Sequence, residues 1–355
     1  MAVFEVVLVN RIPAITGAPT LTVVNRLVVD TISYTEELNR PGTATLSCPV
    51  QSLSSDVKAR LVDLAANPSE VWIYADSTLA WAGEIQTLQM QGQNVTLNCV
   101  GLLGYTFRMG VIADLTYAAT DQFTIAAGLI NQWQAQTYGN YGIDTSTVGT
   151  SGVVRDRVYL RNELHNVGQR LSELGAVLDG FDIKVDPSTR KLVLTYPVSG
   201  TDLSASVFLD ERNIDSASIA VSVAPADLVS DVAATGTATS TGGTNTTLYS
   251  ARSTSSVQTS YGRSWDSTTF DGVSVQATLD GHADAYLQAR SKQLLQPGLT
   301  VVARVGSNVG DFHAGDTISY NYDAGLGLQT TTLRVAKLTV SVDSAGKQRL
   351  QVEVA

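Results

Sequence analysis

The feature that most restricts the fold is a change of apolar period within residues 261–354. Leucine and alanine residues recur at helical spacing over 278–296, and Pro297-Gly298 then ends the helical pattern. The remainder alternates between apolar and polar residues in segments separated by turns, which is typical of antiparallel strands. These predicted strands span 299–305, 317–322, 329–342 and 348–354. The stretch therefore predicts one helix packed on a small antiparallel sheet or barrel.

Residues 1–105 contain the same kinds of element. Alternating segments predict strands at 3–9, 27–35, 43–48, 71–75, 80–89 and 95–100. Apolar residues from Val57 to Leu64 recur at helical spacing, after Ser54 or Ser55 as a cap and before the breaker Asn67-Pro68. The two ends of the chain thus predict two similar β units, each with one helix.

Residues 106–205 have a different character. Asp121 and Asn162 are the predicted N-caps of two amphipathic helices, and segments 181–185 and 191–196 predict a hairpin. A loop rich in Gly, Tyr, Ser and Thr spans 138–152, and we predict that it is mobile or faces a partner. A second low-complexity tract, 235–247, is flanked by strand-like residues and predicts a long hairpin tip in the last unit, 206–355.

Composition restricts the class of protein. A chain of 355 residues predicts two to four domains, and its 44% hydrophobic content suffices to bury their cores. The net charge of −10 argues against a protein that grips nucleic acid through phosphates. No apolar run reaches the ~18 residues of a membrane span, and no cationic segment precedes an apolar one at the N-terminus. We therefore predict a soluble protein without a membrane span, made in a cytoplasm.

The two cysteines, Cys48 and Cys99, each lie on the apolar side of an alternating strand. This position favours two buried free thiols, since free cysteine is commonly buried and cytoplasmic thiols stay reduced. A bridge between them stays open if their strands are neighbours.

Possible metal ligands do not form a recognisable set. His282 with Asp280 and Asp284 could bind a metal, but acids in the first turns of a helix are explained more simply by the helix dipole. The remaining histidines, which share no ligand spacing, are His165 and His313. Three acids around the predicted hairpin suggest calcium but lack a closing bidentate acid: Asp179, Asp182 and Asp186.

Catalytic signatures are weak as well. Ser264 follows Gly262 but lacks the second glycine of a nucleophile elbow. Four acids could be drawn as carboxylate pairs but are explained more simply as solvated turn residues: Asp210 with Glu211, and Asp311 with Asp316. Of the tryptophans, Trp72, Trp81 and Trp133 are predicted to be core residues, and Trp265 exposed. We therefore predict no enzyme, no catalytic residues, no cofactor-binding residues and no metal ligands.

Several short motifs recur in the order known from one family. In the last unit they are Tyr261-Gly262-Arg263, the helix closed by Pro297, Gly315-Asp316 before a strand, and Arg334-Val335. In the first unit they are Tyr34 followed by Asn39-Arg40-Pro41-Gly42 and Leu46, then Gly83, then residues 95–99. Together they cover about two thirds of the chain. In this order the chain resembles the phage tail hub family, the baseplate hubs called minor tail proteins in actinobacterial siphophages.

The resemblance implies a β-rich α+β fold with two tail-tube-like β-barrels, at 1–105 and 206–355, flanking an α+β insert at 106–205. It implies a homotrimeric ring of pseudo-six-fold symmetry at the virion tail tip. Such a ring would join the tail tube or distal tail protein above to a spike, fibre or other minor tail protein below. The tape measure protein could occupy the lumen, and DNA would pass through without specific binding.

Two alternatives stay open, and a third is disfavoured. Loops 138–152 and 235–247, together with Trp265, would suit a carbohydrate-binding tail protein. A hub from a contractile injection device or gene-transfer particle would have nearly the same sequence pattern. A fused cell-wall hydrolase is disfavoured, because the chain ends at Ala355 soon after the last predicted strand.

Overall fold

The computed structural model describes residues 2–210, 212–214, 220–222, 227–241, 244–270, 273, 275–291, 296–302, 308–323 and 328–354. Parts of the predictions therefore lie outside the described residues, namely Glu211, the hairpin tip at 242–243, residues 292–295 of the helix predicted over 278–296, and residues 303–305 of the strand predicted at 299–305. None of the helices in the described ranges is long and apolar enough to cross a membrane.

The chain is rich in strands. In order they are β1 (Phe4–Ile12), β2 (Thr20–Leu27), β3 (Thr31–Glu37), β4 (Thr43–Pro49), β5 (Ser69–Ala75), β6 (Thr78–Gln91), β7 (Asn94–Gly101), β8 (Leu115–Asp121), β9 (Val154–Tyr159), β10 (Asp182–Val185), β11 (Leu192–Thr195), β12 (Phe208–Asp210), β13 (Ala220–Ser222), β14 (Asp231–Thr241), β15 (Thr244–Ser253), β16 (Trp265–Thr269), β17 (Gln296–Val302), β18 (Thr317–Asp323), β19 (Leu328–Val342) and β20 (Gln348–Val354). The α-helices are α1 (Ser55–Val62), α2 (Gln122–Gln134), α3 (Val167–Gly175), α4 (Ser255–Ser260) and α5 (Gln276–Arg290). Short 3-10 segments span Val50–Ser52, Leu102–Arg108 and Arg161–Glu163.

One large sheet joins the two ends of the chain. Its strands follow the order β13-β17-β20-β19-β3-β4-β7-β6-β5-β1-β2, with β18 beside β19 and β12 beside β18. The two halves meet where β3 pairs antiparallel with β19, from Ile32 opposite Val342 to Glu37 opposite Lys337. Side chains from residues 6–99 and 207–354 then form a single apolar core on this sheet.

This sheet does not take the form of two barrels. Among the described strands it runs as an open path from β13 to β2, so the two predicted tail-tube-like barrels are not confirmed. Alternate residues of both joining strands are buried in the same core, Ile32 and Tyr34 on β3 and Leu338 and Val340 on β19. Pairing β3 with β19 continues one apolar surface, whereas closing each half separately would divide it.

The insert has its own core, formed by α2, α3, the 3-10 segment Leu102–Arg108 and the β10–β11 hairpin. The predicted cap of α2 is confirmed, since Asp121 accepts a hydrogen bond from the Phe123 amide at 2.8 Å. The predicted cap of α3 is wrong: Asn166, not Asn162, accepts from the Gln169 amide. Leu164 adopts left-handed backbone with φ 57°, and this ends the 3-10 turn so that the α-helix begins later.

A separate sheet, β15-β14-β16, has α5 packed on it, and we call these elements the three-stranded unit. The helix predicted over 278–296 ends at Arg290, and Pro297 lies inside β17 instead of closing the helix. Leu279 and Ala283 of α5 are buried against Ala234 of β14. The predicted C-terminal unit is therefore divided, because α5 packs on the three-stranded sheet while β17 to β20 belong to the large sheet.

If the large sheet is one cooperative unit, cavities in either half should weaken the same transition. Leu46 of β4 and Leu350 of β20 are fully buried in the shared core. We expect Leu46→Ala and Leu350→Ala each to lower the free energy of unfolding by about 3 kcal/mol. Urea denaturation followed by circular dichroism measures this. Val62→Ala, at a side chain 87% exposed, is the control and should be nearly neutral. Two transitions, each sensitive to only one core variant, would contradict a single cooperative sheet.

Candidate functional site

The insert is tied to both halves of the chain at one buried carboxylate, Asp182 at the start of β10. Arg334 of β19 forms an ion pair with it. The side-chain amide of Asn39 donates to it at 3.0 Å, and the Ser199 amide donates at 2.5 Å. Burial acts to raise the pKa of Asp182, but these hydrogen bonds outweigh it and lower the pKa below its usual range. Asp182 therefore links the insert with β19 and with the turn after β3.

The local backbone explains why these partners converge. Asn39 sits in left-handed backbone with φ 61°, a conformation that asparagine tolerates better than most residues. Its side-chain oxygen accepts from the Ile183 amide at 2.8 Å, so both ends of the amide hold β10. A Cβ on Gly200, whose φ is +97°, would lie 2.1 Å from the Gly315 carbonyl oxygen. Glycine at position 200 thus permits the close approach of the insert's exit segment to the turn before β18.

The same turn places a histidine beside an acid. Asp316 is buried and accepts from the Thr201 amide at 2.7 Å and the His313 amide at 2.8 Å. The His313 ring lies 3.0 Å from Glu36 of β3. The hydrogen bond to Glu36 raises the pKa of His313, although partial burial opposes the shift. His313 therefore joins the turn to β3, and Asp316 joins it to the insert's exit segment at Thr201.

A second cluster of buried charges lies where the insert covers β5 and β6. Glu70 and Glu84 stand directly opposite each other across these strands. Glu70 is fully buried, pairs with Arg190 at 2.9 Å and accepts from the Tyr105 hydroxyl at 2.8 Å. Glu84 pairs with Arg108 at 2.8 Å. Burial raises the pKa of Glu84, although Arg108 and the nearby Arg11 act to lower it.

Aromatic rings complete this cluster. The Arg11 guanidinium lies 5.2 Å from the ring centres of both Tyr105 and Tyr141, which stack on each other. Cations over aromatic faces are stabilised by the ring quadrupole. The hydrogen-bond donors and cations around Glu70 and Glu84 come from the protein itself. The cluster therefore has a structural role, which is to hold the insert on the sheet.

Tyr141 belongs to the loop predicted to be mobile or partner-facing, and Ile143 of that loop is buried. This part of the loop is packed, while Tyr138 is exposed.

A cleft of about 580 Å³ opens between the β10–β11 hairpin and the large sheet. Its lining includes Trp81 and Tyr34 on the sheet, and Asp182, Lys184 and His313 around the rim. Acids outnumber bases in the lining, and Asp182 and His313 already have partners within the chain. The acids are Glu36, Glu37, Asp76, Asp182, Asp186 and Asp311, and the basic side chains are Arg40, Lys184 and His313. The cleft is thus an acidic groove beside the Asp182 junction.

The predicted metal candidates do not meet in space. Within the described ranges no three His, Cys, Asp or Glu side chains are placed to hold a metal ion. Asp280 and Asp284 form ion pairs with Arg252 of β15 at 3.0 and 2.7 Å. His282 is buried and stacks on Phe270, and burial followed by nearby arginines lowers its pKa to about 4.

The three acids of the suggested calcium site have separate roles. Asp182 forms the junction described above. Asp186 caps its own turn by accepting from the Thr189 amide at 2.7 Å, and Asp179 accepts from the Tyr196 hydroxyl at 3.4 Å. His165 forms no ion pair that the structure records among described residues, and its backbone carbonyl accepts from the Val111 amide.

The catalytic candidates have structural partners. Asp210 pairs with Arg212, and the Ser264 amide donates to Ser230 at 2.9 Å, beside β16. Asp311 accepts from the Asn308 amide. The prediction that Asp316 is a solvated turn residue is wrong, because the backbone amides of two segments converge on it and bury it.

The tryptophans and cysteines mostly follow the sequence predictions. Trp81 is buried in the large core, Trp72 and Trp133 pack against the insert core, and Trp265 is 68% exposed. Cys48 and Cys99 are buried free thiols, as predicted. They lie on adjacent strands β4 and β7, where Cys48 is opposite Val95 and not opposite Cys99.

No model of a protein family matches the sequence, and no curated protein matches it either. The fold, however, matches solved structures. A tail protein from Neisseria meningitidis MC58 gives a TM-score of 0.59 at 13% identity, over 99% of this chain and 96% of that one. The 43 kDa tail protein of prophage MuSo2 from Shewanella oneidensis gives 0.62 at 14% identity, over 99% and 98%. Prophage tail protein gp18 from Listeria monocytogenes EGD-e gives 0.57 at 11% identity, over 98% and 94%.

The chain has the fold of phage tail proteins. This confirms, at the level of the fold, the resemblance predicted from the sequence. Each match covers nearly the whole length of this chain and of the matched chain, so the insert and the three-stranded unit lie within the shared fold. Asn39, Gly315-Asp316 and Arg334, which carried the resemblance, meet at the Asp182 junction.

Sequence reasoning missed the roles of Glu70, Glu84 and Arg190 in the second cluster. A signal was present, because Glu70 immediately precedes the apolar run Val71 to Ile73 in a buried stretch of β5, and Glu84 precedes Ile85 in a strand buried on both faces. An acid in such a strand requires a buried cation. The partner could not be read from the sequence, since Arg190 follows Glu70 by 120 residues.

The Asp182 junction should contribute strongly to stability. Asp182→Ala leaves the partly buried Arg334 without its carboxylate, and we expect a loss of about 3 kcal/mol in the free energy of unfolding at pH 7. Asp56→Ala, which removes the exposed Asp56–Arg60 pair, is the control and should cost under about 1 kcal/mol. Because the pKa of Asp182 is lowered on folding, its contribution is present above about pH 4 and is lost as pH falls through the folded pKa. Equal losses in the two variants at pH 7 would contradict this role.

The His313–Glu36 contact should depend on pH in the opposite sense. The pKa of His313 is raised on folding. The contribution of this contact to the free energy of unfolding is therefore complete below about pH 6.5 and is lost as pH rises through the folded pKa. Thermal unfolding between pH 6.5 and 8.5 should show this decline in the wild type and a smaller one in His313→Gln. The window lies above the range in which buried His282 contributes. His165→Gln is the control, and a decline equally reduced in that variant would argue against His313.

Proposed function

We propose that this protein is a structural hub of a phage tail tip, without enzymatic activity. The observation that carries the proposal is the match to three phage tail proteins over nearly their whole length. In this role it forms a homotrimeric ring between the tail tube or distal tail protein and a spike, fibre or other minor tail protein. The ring forms part of the channel through which DNA leaves the virion, and the tape measure protein occupies its lumen before ejection.

The large sheet supplies a geometric reason for this role. Each chain contributes two sets of strands, β1 to β7 and β17 to β20, joined through β3 and β19. Three chains around an axis therefore present six sets of strands. Closed rings require equivalent interfaces, and two sets of strands in each chain would let a three-fold ring meet a six-fold tube. The net charge of −10 suits a channel whose wall repels DNA phosphates.

The outer edge of the sheet is the proposed contact between subunits. Strand β2 pairs with β1 on one side and, within the described residues, with no strand on the other. Val23 of β2 is 59% exposed, and Ile12 and Ile15 of the same hairpin are 49% and 61% exposed. An unpaired edge with apolar side chains promotes association unless something covers it. A neighbouring subunit of the ring would provide that cover.

A hub of a contractile injection device or gene-transfer particle would have the same architecture, and the site of assembly distinguishes them. Gold-labelled antibody against the protein should mark the tail tip of purified virions from the phage that encodes it. Label on another part of the virion would overturn the proposed location.

The oligomeric state tests the ring. Light scattering and negative-stain images of the purified protein should show a ring of three times the 37.6 kDa chain mass. Val23→Lys should raise the trimer dissociation constant at least tenfold, because it places a charge at the apolar edge. Val62→Lys adds the same charge at an exposed position of α1 and is the control. A protein that stays monomeric both alone and at the virion tip, or equal effects of the two variants, would refute this assembly.

A further inference from the structure

The three-stranded unit leaves one face of its sheet uncovered. Val232 and Ala234 of β14 point toward α5 and are buried. Since successive residues of a strand point to opposite faces, the intervening positions point away from α5. The pairing register aligns them in a grid of three rows, which we call the platform: Ser253-Asp231-Trp265, Ala251-Ala233-Ser267 and Tyr249-Thr235-Thr269.

The platform points away from the rest of the molecule. Helix α5 lies between the three-stranded sheet and the insert, and it contacts the insert directly. Arg157 of β9 donates to the Thr278 hydroxyl at 2.8 Å, and the Leu178 amide donates to the Gly281 carbonyl at 3.4 Å. The face of the sheet opposite α5 is therefore open to solvent except at Asp231, which Gln258 of α4 and Arg263 contact. Its two large side chains, Trp265 and Tyr249, are 68% and 59% exposed.

The chemistry of the platform is neutral and rich in hydroxyl groups. Its single charged residue, Asp231, is paired with Arg263 at 2.8 Å and accepts from the side-chain amide of Gln258 at 3.2 Å. The aromatic rings stand at opposite corners, and the middle row consists of two alanines and a serine, which form a flat floor. Nucleic acids and anionic lipid surfaces require an excess of basic side chains. The platform has none.

The size of the platform distinguishes between a protein partner and a small linear ligand. Strand spacing and rise give a grid of roughly 13 Å by 10 Å. A stable protein interface buries about 800 Å² on each partner, several times the area of the grid. A linear neutral ligand fits better, because indole and phenol rings can stack on the C–H faces of sugar rings while serine and threonine hydroxyls bind sugar hydroxyls.

We propose that the platform binds a neutral polysaccharide chain, with Trp265 and Tyr249 as stacking residues at its two ends. Such chains are abundant on bacterial surfaces. The proposal goes beyond the hub role and is independent of it, since a single chain carries the complete platform. A monomer that binds sugar and a trimer that does not are distinguishable results.

Affinity electrophoresis in gels containing hydroxyethylcellulose, dextran or glycol chitin tests the proposal, with alginate as an anionic comparison. At least one neutral polysaccharide should retard the wild-type protein. Trp265→Ala should weaken the retardation at least tenfold in dissociation constant. Ala251→Arg should do the same by placing a long charged side chain on the floor while keeping Trp265. Circular dichroism would verify that both variants are folded.

Tyr138→Ala is the matched control, because Tyr138 is 57% exposed but lies in the insert. It should bind as the wild type does. Retardation by none of the neutral polysaccharides, retardation by alginate alone, or equal weakening in Tyr138→Ala would each overturn the proposal. Should Trp265→Ala fail to fold, Tyr249→Ala at the opposite corner provides the same test.

Discussion

The antiparallel pairing of β3 with β19 is the contact on which the rest of the architecture depends. It joins strands from the two ends of the chain into one sheet and one apolar core. The turn after β3 and the middle of β19 then lie close enough for Asn39 and Arg334 to reach the same carboxylate, Asp182. The insert is held beside the β3–β19 pairing through Asp182 and, through Glu70 and Arg190, on the face of β5.

The elements that the sequence predicts well are those with a strict local pattern. The strands of residues 43–100, the hairpin at β10–β11 and the caps at Ser54 and Asp121 depend on alternation or on a side chain bonding to a nearby amide. Such signals lie within a few residues of one another. The start of α3 was misplaced because a left-handed residue, Leu164, has no distinctive pattern.

Long-range choices were less predictable. Nothing local distinguishes a strand that closes its own barrel from one that pairs with a distant partner, so the union of β3 with β19 was not foreseen. The apolar face of α5 could likewise have packed on β17 to β20, yet it packs on β14 and β15. At the candidate site, Asn39, Asp316 and Arg334 were recognisable as a family pattern, but their meeting at Asp182 required the fold.

The pairing of β3 with β19 also affects the order in which parts of the chain can fold. Strand β19 follows β3 by about 300 residues, so this pairing is among the most non-local contacts in the molecule. During synthesis the N-terminal strands emerge first, and the edge of β3 stays unpaired until residue 342 has left the ribosome. A chain truncated before β19 therefore lacks the cover for that edge, and an unpaired strand edge of this kind promotes aggregation.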